Sequence, residues 1–261
     1  MRLGICGGIE RVKGAKENGF DYMEPGFGSV ENWTEEEYQS FKEELKKYSM
    51  GCDCMNGFIP GDLKTVGPDV DYDKLSEYLD KGFKRANGLG VKTVVYGSGG
   101  SRRIPEGYSY YKAVNDIIYF VKRYAAPKAA EYGIYIVFEP LCKKETNIIN
   151  TVKEGSMLAA AINEENVYCL ADIYHCVEEN DTWDDIKDLK GIIKHAHISN
   201  PVSEDERFKR QYLKSFEEFD YKGFVDAVKF AGCETISVEA NTSDFDKDVI
   251  STGKILNALA R

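Results

Sequence analysis

The stretch VYCLADIYHC, residues 167–176, combines an apolar run with a carboxylate and a histidine. Its residues 167–171 are typical of a buried strand. Asp172 closes this run, and His175 follows three positions later. Because an unpaired carboxylate is costly to bury, we expect the strand to end at a polar site rather than inside the core.

An apolar run followed by an amphipathic segment occurs eight times along the chain. The predicted strands lie at residues 2–6, 22–25, 51–58, 92–97, 134–139, 167–173, 192–199 and 235–240. Between them, apolar residues recur at helical spacing, with charged residues on the opposite face. The clearest predicted helices lie at residues 34–50, 71–90 and 111–133. Several of these segments end in Gly just before the next strand, which is the usual C-terminal cap of a helix.

Strict alternation of strands and helices predicts a parallel sheet joined by right-handed crossovers. Eight such units in 261 residues fit a closed (β/α)₈ barrel better than an open doubly wound sheet. The sequence has no GxGxxG after the first strand and no GxxxxGK(S/T), which disfavours a nucleotide-binding fold. We therefore expect an α/β protein with a single TIM-barrel domain spanning residues 1–261.

The composition is that of an ordinary globular protein, with 43% hydrophobic and 30% charged residues. Its 34 basic and 44 acidic residues give a net charge of −10, which disfavours nonspecific binding to nucleic acid. No segment approaches the ~20 apolar residues of a membrane-spanning helix, and the first apolar run is too short for a signal peptide. We expect a cytoplasmic protein with no nucleic-acid or membrane partner.

The seven cysteines are odd in number, scattered and without a CxxC pair. Several of them lie inside apolar, strand-like runs. This distribution is typical of buried free thiols in a reducing compartment.

Four predicted strands end in residues that commonly bind divalent metal ions: Glu139, Asp172, His197 and Glu239. In a TIM barrel, the carboxyl ends of the strands form the active site. Each group alone has a simpler interpretation, since a lone glutamate can form a salt bridge and Asp172 can cap a following helix. Four of them on one rim, however, need a shared cation. Three carboxylates and one imidazole suit Mn²⁺ best, and Mg²⁺ or Co²⁺ is also compatible.

The three histidines of the chain all lie near these positions. His195 and His197 are two residues apart on a strand, so their side chains point the same way. His197 is nearer the predicted mouth, and the other histidine is expected to support it or to lie in the core. His175 would contact a substrate hydroxyl beside the metal or hydrogen-bond a loop carbonyl.

Six segments of the sequence resemble the sugar isomerase/epimerase superfamily, which has a xylose-isomerase-like TIM barrel. The pattern is nearest to ketose 3-epimerases of the tagatose/psicose epimerase type. The segments are NGFIPGDLKTVGPDVD (56–71), VVYGSGGSRRIPEG (94–107), FEPLCKKETNIINTVKE (138–154), LADIYH (170–175), HAHISNP (195–201) and ISVEANTSDF (236–245).

This resemblance implies roles for individual residues. The family's metal ligands fall on Glu139, Asp172, His197 and Glu239. Its contacts to substrate hydroxyl or carbonyl groups fall on Glu145 and His175.

The substrate-binding cation is where the sequence departs from the family. The epimerases place an arginine six residues after the metal histidine, and Ser203 stands there in this chain. Arg207 or Arg210 is expected to supply the positive charge instead. Arg102, in the glycine-rich segment, either binds an acidic or phosphorylated end of a substrate or is a solvated loop charge.

We therefore expect a metal-dependent isomerase/epimerase of carbohydrate metabolism that acts on a ketose or sugar phosphate through an enediolate, with 3-epimerisation as the favoured reaction. Glu139 and Glu239 would act as the two bases, one removing a proton and the other returning one. Homo-oligomerisation is compatible with the sequence.

Three alternatives remain open. An enzyme similar to inosose dehydratases or hydroxypyruvate isomerases would use the same metal for another reaction. A phosphodiesterase of the endonuclease IV type shares the barrel but needs more histidines than the three present. A non-enzymatic sugar-binding subunit would keep the fold without the activity.

Overall fold

The protein is a single (β/α)₈ TIM barrel, as the sequence predicts. The structure is a computed structural model, and it describes residues 1–202 and 210–260. The described residues form eight strands: β1 (Arg2–Cys6), β2 (Tyr22–Glu24), β3 (Cys54–Met55), β4 (Thr93–Tyr96), β5 (Tyr135–Phe138), β6 (Val167–Asp172), β7 (Ile193–Ile198) and β8 (Thr235–Val238). They pair in parallel in the order β2-β1-β8-β7-β6-β5-β4-β3.

The barrel closes between β2 and β3 through isolated bridges rather than a continuous ladder. Tyr22 bridges to Gly51, and Gly26 bridges to Asn56. The predicted strand at 51–58 is therefore right in position but too long, because only β3 itself pairs with β4. Gly57, with a φ of 55°, leaves the extended conformation at this point. The other seven strands begin and end within two residues of the prediction.

Helices connect the strands. In the described residues they are α1 (Val12–Glu17), α2 (Phe27–Asn32), α3 (Glu35–Tyr48), α4 (Tyr72–Leu89), α5 (Gly99–Arg102), α6 (Tyr110–Phe120), α7 (Ala126–Ala130), α8 (Val152–Ile162), α9 (Ile173–Glu179), α10 (Trp183–Lys187), α11 (Tyr221–Ala231) and α12 (Phe245–Ala260). None of them is long and apolar enough to cross a bilayer.

Two of the three clearest helix predictions form one helix each. Helix α3 begins with a capping box between Thr34 and Glu37, and α4 ends at Gly90 in the left-handed conformation. The predicted helix at 111–133 is instead divided into α6 and α7 by a π-helical turn at Val121–Ala125. Pro127, which has no N–H to donate, is the second residue after this turn.

The seven cysteines are all unpaired, and six of them are buried. This confirms the prediction of buried free thiols. Their neighbours in the core are mainly the aliphatic and aromatic side chains of the strands and of the inner helix faces.

The strand register places polar residues at the carboxyl edge of the barrel. Asp172 of β6 is opposite His197 of β7, which in turn is opposite Ser237 of β8. Glu139 and Glu239 directly follow β5 and β8. Their backbone amides donate to neighbouring strands at 3.3 and 3.1 Å, so both residues are fixed as if they still belonged to the sheet.

Candidate functional site

The structure brings together the four residues that the sequence singled out as metal ligands. One potential ligand atom of each lies within 4.8 Å of those of the other three. From Nδ1 of His197, the nearest carboxylate oxygen lies at 2.9 Å on Glu139, 3.5 Å on Glu239 and 3.8 Å on Asp172. Three carboxylates and an imidazole therefore meet at one place on the rim. We call these four residues the rim cluster.

The two oxygens of Asp172 have different surroundings. Oδ1 accepts hydrogen bonds from the backbone N–H groups of Tyr174 at 2.7 Å and His175 at 3.1 Å, which caps α9. Oδ2 is buried and has no hydrogen-bond partner among the described residues. A buried, unpartnered carboxylate oxygen is unfavourable unless a cation neutralises it. The donor set and this orphaned oxygen together fit a divalent metal ion.

Burial and neighbouring charges shift the pKa values of the rim-cluster residues in different directions. Burial raises the pKa of Asp172 to about 7. Burial also opposes ionisation of Glu239, but His197 and Arg210 outweigh it and lower the pKa of Glu239 to about 2. For His197, burial works against the charged form, and the surrounding carboxylates raise its pKa well above the usual value. The cluster thus attracts positive charge.

Sequence analysis missed Glu24, the last residue of β2. Its side chain is fully buried, and its two oxygens accept hydrogen bonds from Nε2 of His197 at 2.9 Å and Nε2 of His195 at 3.0 Å. Although burial opposes ionisation, the two imidazoles lower the pKa of Glu24. A signal was present in the sequence, because this glutamate is the next-to-last residue of the predicted strand 22–25, and the predicted ligands also lie at strand ends.

The two histidines of β7 differ as expected. His197 faces the rim cluster, whereas His195 points into the core, where its Nδ1 lies 2.8 Å from Oγ1 of Thr235 and 3.8 Å from Sγ of Cys54. The structure therefore places His197, and not His195, in the rim cluster.

Gly97, just after β4, leaves room for the carboxylate of Glu139. A Cβ at this position would overlap Oε2 of Glu139 and would also contact Leu141. The glycine-rich exit from β4 therefore has a local steric purpose beside the rim cluster.

Arg102 does not lie where a substrate could meet it. Its side chain is fully buried, with Nη1 donating to the carbonyl of Tyr96 at 3.1 Å and Nη2 donating to the carbonyl of Glu139 at 2.8 Å. Burial lowers the pKa of its guanidinium to about 10. The expectation of an acid- or phosphate-binding arginine, or of a solvated loop charge, is corrected by this position. Arg102 instead ties the ends of β4 and β5 together beneath the rim.

Arg210 supplies a positive charge at the mouth. Its guanidinium donates to Glu239 at 3.0 Å and to Glu145 at 3.3 Å, and it also contacts Nε2 of His175. Glu145 and His175, both predicted to contact substrate, therefore lie next to the rim cluster. Arg207 and Ser203 lie outside the described residues.

The backbone around His175 fixes which ring nitrogen faces the mouth. The N–H of Cys142 donates to Nδ1 at 2.9 Å, whereas Nη2 of Arg210, which can only donate, faces Nε2. Burial, followed by the nearby Arg210, lowers the pKa of His175 well below its usual value. A neutral imidazole accepts a hydrogen bond at only one nitrogen. With Nδ1 accepting from Cys142, an N–H on Nε2 becomes available to a ligand only when Arg210 moves away.

A cleft of about 600 Å³ opens beside Glu239. Its described lining includes the polar side chains of Ser29, Asn56 and Asn241 and the half-buried indole of Trp33. Nδ2 of Asn56 donates to Oε1 of Glu239 at 3.2 Å. Hydrogen-bonding groups beside an aromatic surface suit a small polar molecule.

An α/β barrel with a carboxylate–imidazole cluster at the carboxyl edge of its strands defines the class of this protein. A family model described as the xylose isomerase-like TIM barrel matches residues 12–256. The chain belongs to the xylose isomerase-like TIM barrel family, and this confirms the resemblance seen in the sequence.

Several named proteins are similar to this chain. A curated ketose 3-epimerase from Arthrobacter globiformis is 30% identical over 74 residues; this match covers 28% of the chain and only 26% of that relative's length. The crystal structure of 3-keto-D-glucoside 4-epimerase from E. coli, in its apo form, has a TM-score of 0.80 at 17% identity and covers 99% of both chains. That of D-allulose 3-epimerase from Methylomonas sp., in complex with D-allulose, has a TM-score of 0.81 at 19% identity and covers 99% of this chain and 97% of that one. These structural likenesses show the fold.

Proposed function

We propose that this protein is a divalent-metal-dependent sugar epimerase or isomerase that acts on a ketose or sugar phosphate, with 3-epimerisation of a ketose as its reaction. The observation that carries the proposal is the rim cluster, in which a buried oxygen of Asp172 has no hydrogen-bond partner among the described residues. Family membership and the short match to a ketose 3-epimerase support a sugar as the substrate.

The four residues of the rim cluster would hold the metal. Their oxygen and imidazole donors suit Mn²⁺ best, and Mg²⁺ or Co²⁺ is also compatible. A bound divalent ion would stabilise negative charge developing on the carbonyl and adjacent hydroxyl oxygens of a sugar.

Glu139 and Glu239 are the proposed bases. One carboxylate removes the proton from the carbon next to the sugar carbonyl, which leaves an enediolate. The other glutamate passes a proton taken from solvent to the opposite face of that carbon, which gives the 3-epimer, and the first glutamate releases its proton to solvent. Delivery to the neighbouring carbon would instead exchange an aldose and a ketose. The hydrogen bonds from Asn56 and Arg210 keep Glu239 ionised and orient its carboxylate for proton transfer.

Glu145, His175 and Arg210 are the proposed substrate contacts. When Arg210 no longer faces it, Nε2 of His175 can carry the proton and donate to a sugar oxygen. The partly exposed carboxylate of Glu145 can accept from a hydroxyl group. Arg210 contacts both residues, so it would have to share or exchange these contacts when a sugar binds.

The proposal is tested by incubating the protein with Mn²⁺ and a panel of ketoses and ketose phosphates in D₂O. After removal of the metal, NMR should show one deuterium at C3 together with the 3-epimer. Deuterium at the neighbouring carbon would indicate isomerisation, and loss of water would indicate a dehydratase. The exposed-site variant Glu131→Gln is the control and should match the wild type. No deuterium in any sugar, from protein that has bound metal, would contradict the proposal.

A further inference from the structure

Glu24 is a buried carboxylate whose two oxygens are used separately. One accepts from Nε2 of His197 at 2.9 Å and the other from Nε2 of His195 at 3.0 Å. All three side chains are completely buried. A carboxylate at this depth is costly unless both oxygens are satisfied, so its two histidine partners account for its presence here.

This contact determines which nitrogen of His197 keeps its proton when a metal ion is bound. An ionised carboxylate only accepts hydrogen bonds, so Nε2 of His197 must be the donor. Nδ1 of the same ring is then the nitrogen directed at the rim cluster, 2.9 Å from Glu139. A metal-binding histidine commonly donates its other ring N–H to a carboxylate, which fixes the tautomer and the ring orientation.

His195 holds the other side of Glu24. Its Nε2 binds the carboxylate, and its Nδ1 lies 2.8 Å from Oγ1 and 3.2 Å from the carbonyl oxygen of Thr235. The result is a buried chain of hydrogen bonds that runs from Thr235 through His195 and Glu24 to His197. Because it joins β8, β7 and β2, Glu24 cannot turn away without breaking it.

We infer that Glu24 is the positioning residue that fixes the tautomer and orientation of His197 and thereby sets the metal affinity of the rim cluster. This inference rests on the proposed metal site. It assigns Glu24 no contact with the sugar and no part in the proton transfer.

The variant Glu24→Gln tests this role with little change in shape. An amide offers one acceptor oxygen where the carboxylate offers two, so only one of the two histidines can keep its Nε2 proton bonded. We expect the affinity for Zn²⁺ and Mn²⁺ to fall about 10- to 100-fold. Glu31→Gln is the matched control, because Glu31 is also a buried carboxylate but pairs with Lys81 at 2.8 Å. Its metal affinity should stay within about twofold of the wild type.

Long-range ¹H–¹⁵N NMR reads the tautomers directly, and the chain has only three histidines to assign. In the Zn²⁺-loaded wild type, His197 should carry its proton on Nε2, and this pattern should be lost or mixed in Glu24→Gln. A proton on Nδ1 instead of Nε2 of His197 in the Zn²⁺-loaded wild type would overturn the inference even if the variant failed to fold. Unchanged metal affinity in the variant would also overturn it. Weaker metal binding without any deuterium exchange in sugars would instead support Glu24 and contradict the proposed reaction.

Discussion

Arg210 and Glu239 form an ion pair at the mouth of the barrel, with Nη1 donating to Oε2 at 3.0 Å. The same oxygen of Glu239 lies 3.5 Å from Nδ1 of His197. A permanent positive charge is thus placed against a carboxylate that is also a candidate metal ligand. Arginine and a divalent ion would repel each other here, although both neutralise the acidic rim.

Replacing Arg210 by Met should therefore separate metal binding from substrate binding. Met keeps an apolar chain against the ring of Tyr174, which the guanidinium now covers at 4.6 Å. We expect Mn²⁺ to bind several-fold more tightly because the repulsion is gone. The value of kcat/KM should nevertheless fall about 10- to 100-fold, since a charged sugar contact is lost. Isothermal titration and steady-state assays check the two effects, with Arg123→Met at an exposed site as the control. Weaker metal binding in Arg210→Met would contradict this view.

Gly97→Ala should disturb Glu139 without unfolding the barrel. The added methyl group would overlap Oε2 of Glu139, whose carboxylate would have to move away from the rim cluster. We expect kcat to fall about 100-fold or more, since a misplaced catalytic group costs that much. Gly61→Ala is the control, because its nearest neighbour would be 3.7 Å from the new Cβ. Equal activities of the two variants, at equal melting temperatures, would show that Gly97 has no such role.

Glu139→Gln and Glu239→Gln should each nearly abolish turnover. Removal of a general base costs about 10²- to 10⁴-fold, and each change also removes a charged candidate ligand. Glu145→Gln should behave differently and raise KM more than it lowers kcat, because Glu145 is proposed to contact substrate only. Circular dichroism checks that all three variants are folded. A near-normal kcat in Glu139→Gln or Glu239→Gln would refute the two-base scheme.

Asp181 makes the stability of the fold depend on pH, and this effect does not involve the rim cluster. Its Oδ2 accepts from the backbone N–H of Val152 at 2.9 Å, and burial raises its pKa from 3.8 to about 6. The folded state therefore binds this proton more tightly than the unfolded chain. The ionised carboxylate opposes folding above about pH 6, and this penalty disappears as the pH falls toward about 4.

The variant Asp181→Asn should reveal this penalty. We expect it to be about 1 kcal/mol more stable than the wild type near pH 8, after allowance for partial exposure. Its advantage should shrink as the pH falls from about 6 to about 4. Urea unfolding at each pH gives the difference in the free energy of unfolding, with the exposed Asp184→Asn as the control. If the stability advantage of Asp181→Asn over the wild type instead grew as the pH fell, the proposed effect of Asp181 ionisation on folding would be contradicted.

The fold could be predicted because its signal is local. Seven of the eight strands are short apolar runs with polar ends, and such runs need no knowledge of distant residues. Strand β3 was overestimated because Cys54 and Met55 are flanked by glycines and polar residues that make single bridges instead of a ladder.

The residues of the rim cluster could be selected for the same reason, since each directly ends or follows an apolar run. The environment of a long side chain could not be predicted in this way. Arg102 lies in a glycine-rich loop segment that suggests exposure, yet its guanidinium reaches back to two buried carbonyls. Glu24 depends on two histidines more than 170 residues away, and no local pattern reports such a contact.

The most direct test of the account is the stoichiometry and affinity of Mn²⁺ binding in the wild type and in Asp172→Asn. The asparagine keeps an oxygen that can cap α9 but removes the charge of the orphaned Oδ2. We expect one Mn²⁺ per wild-type chain by isothermal titration and an affinity at least about 100-fold lower in the variant. A wild-type protein that binds no divalent ion, or a variant that binds it equally well, would contradict the central claim.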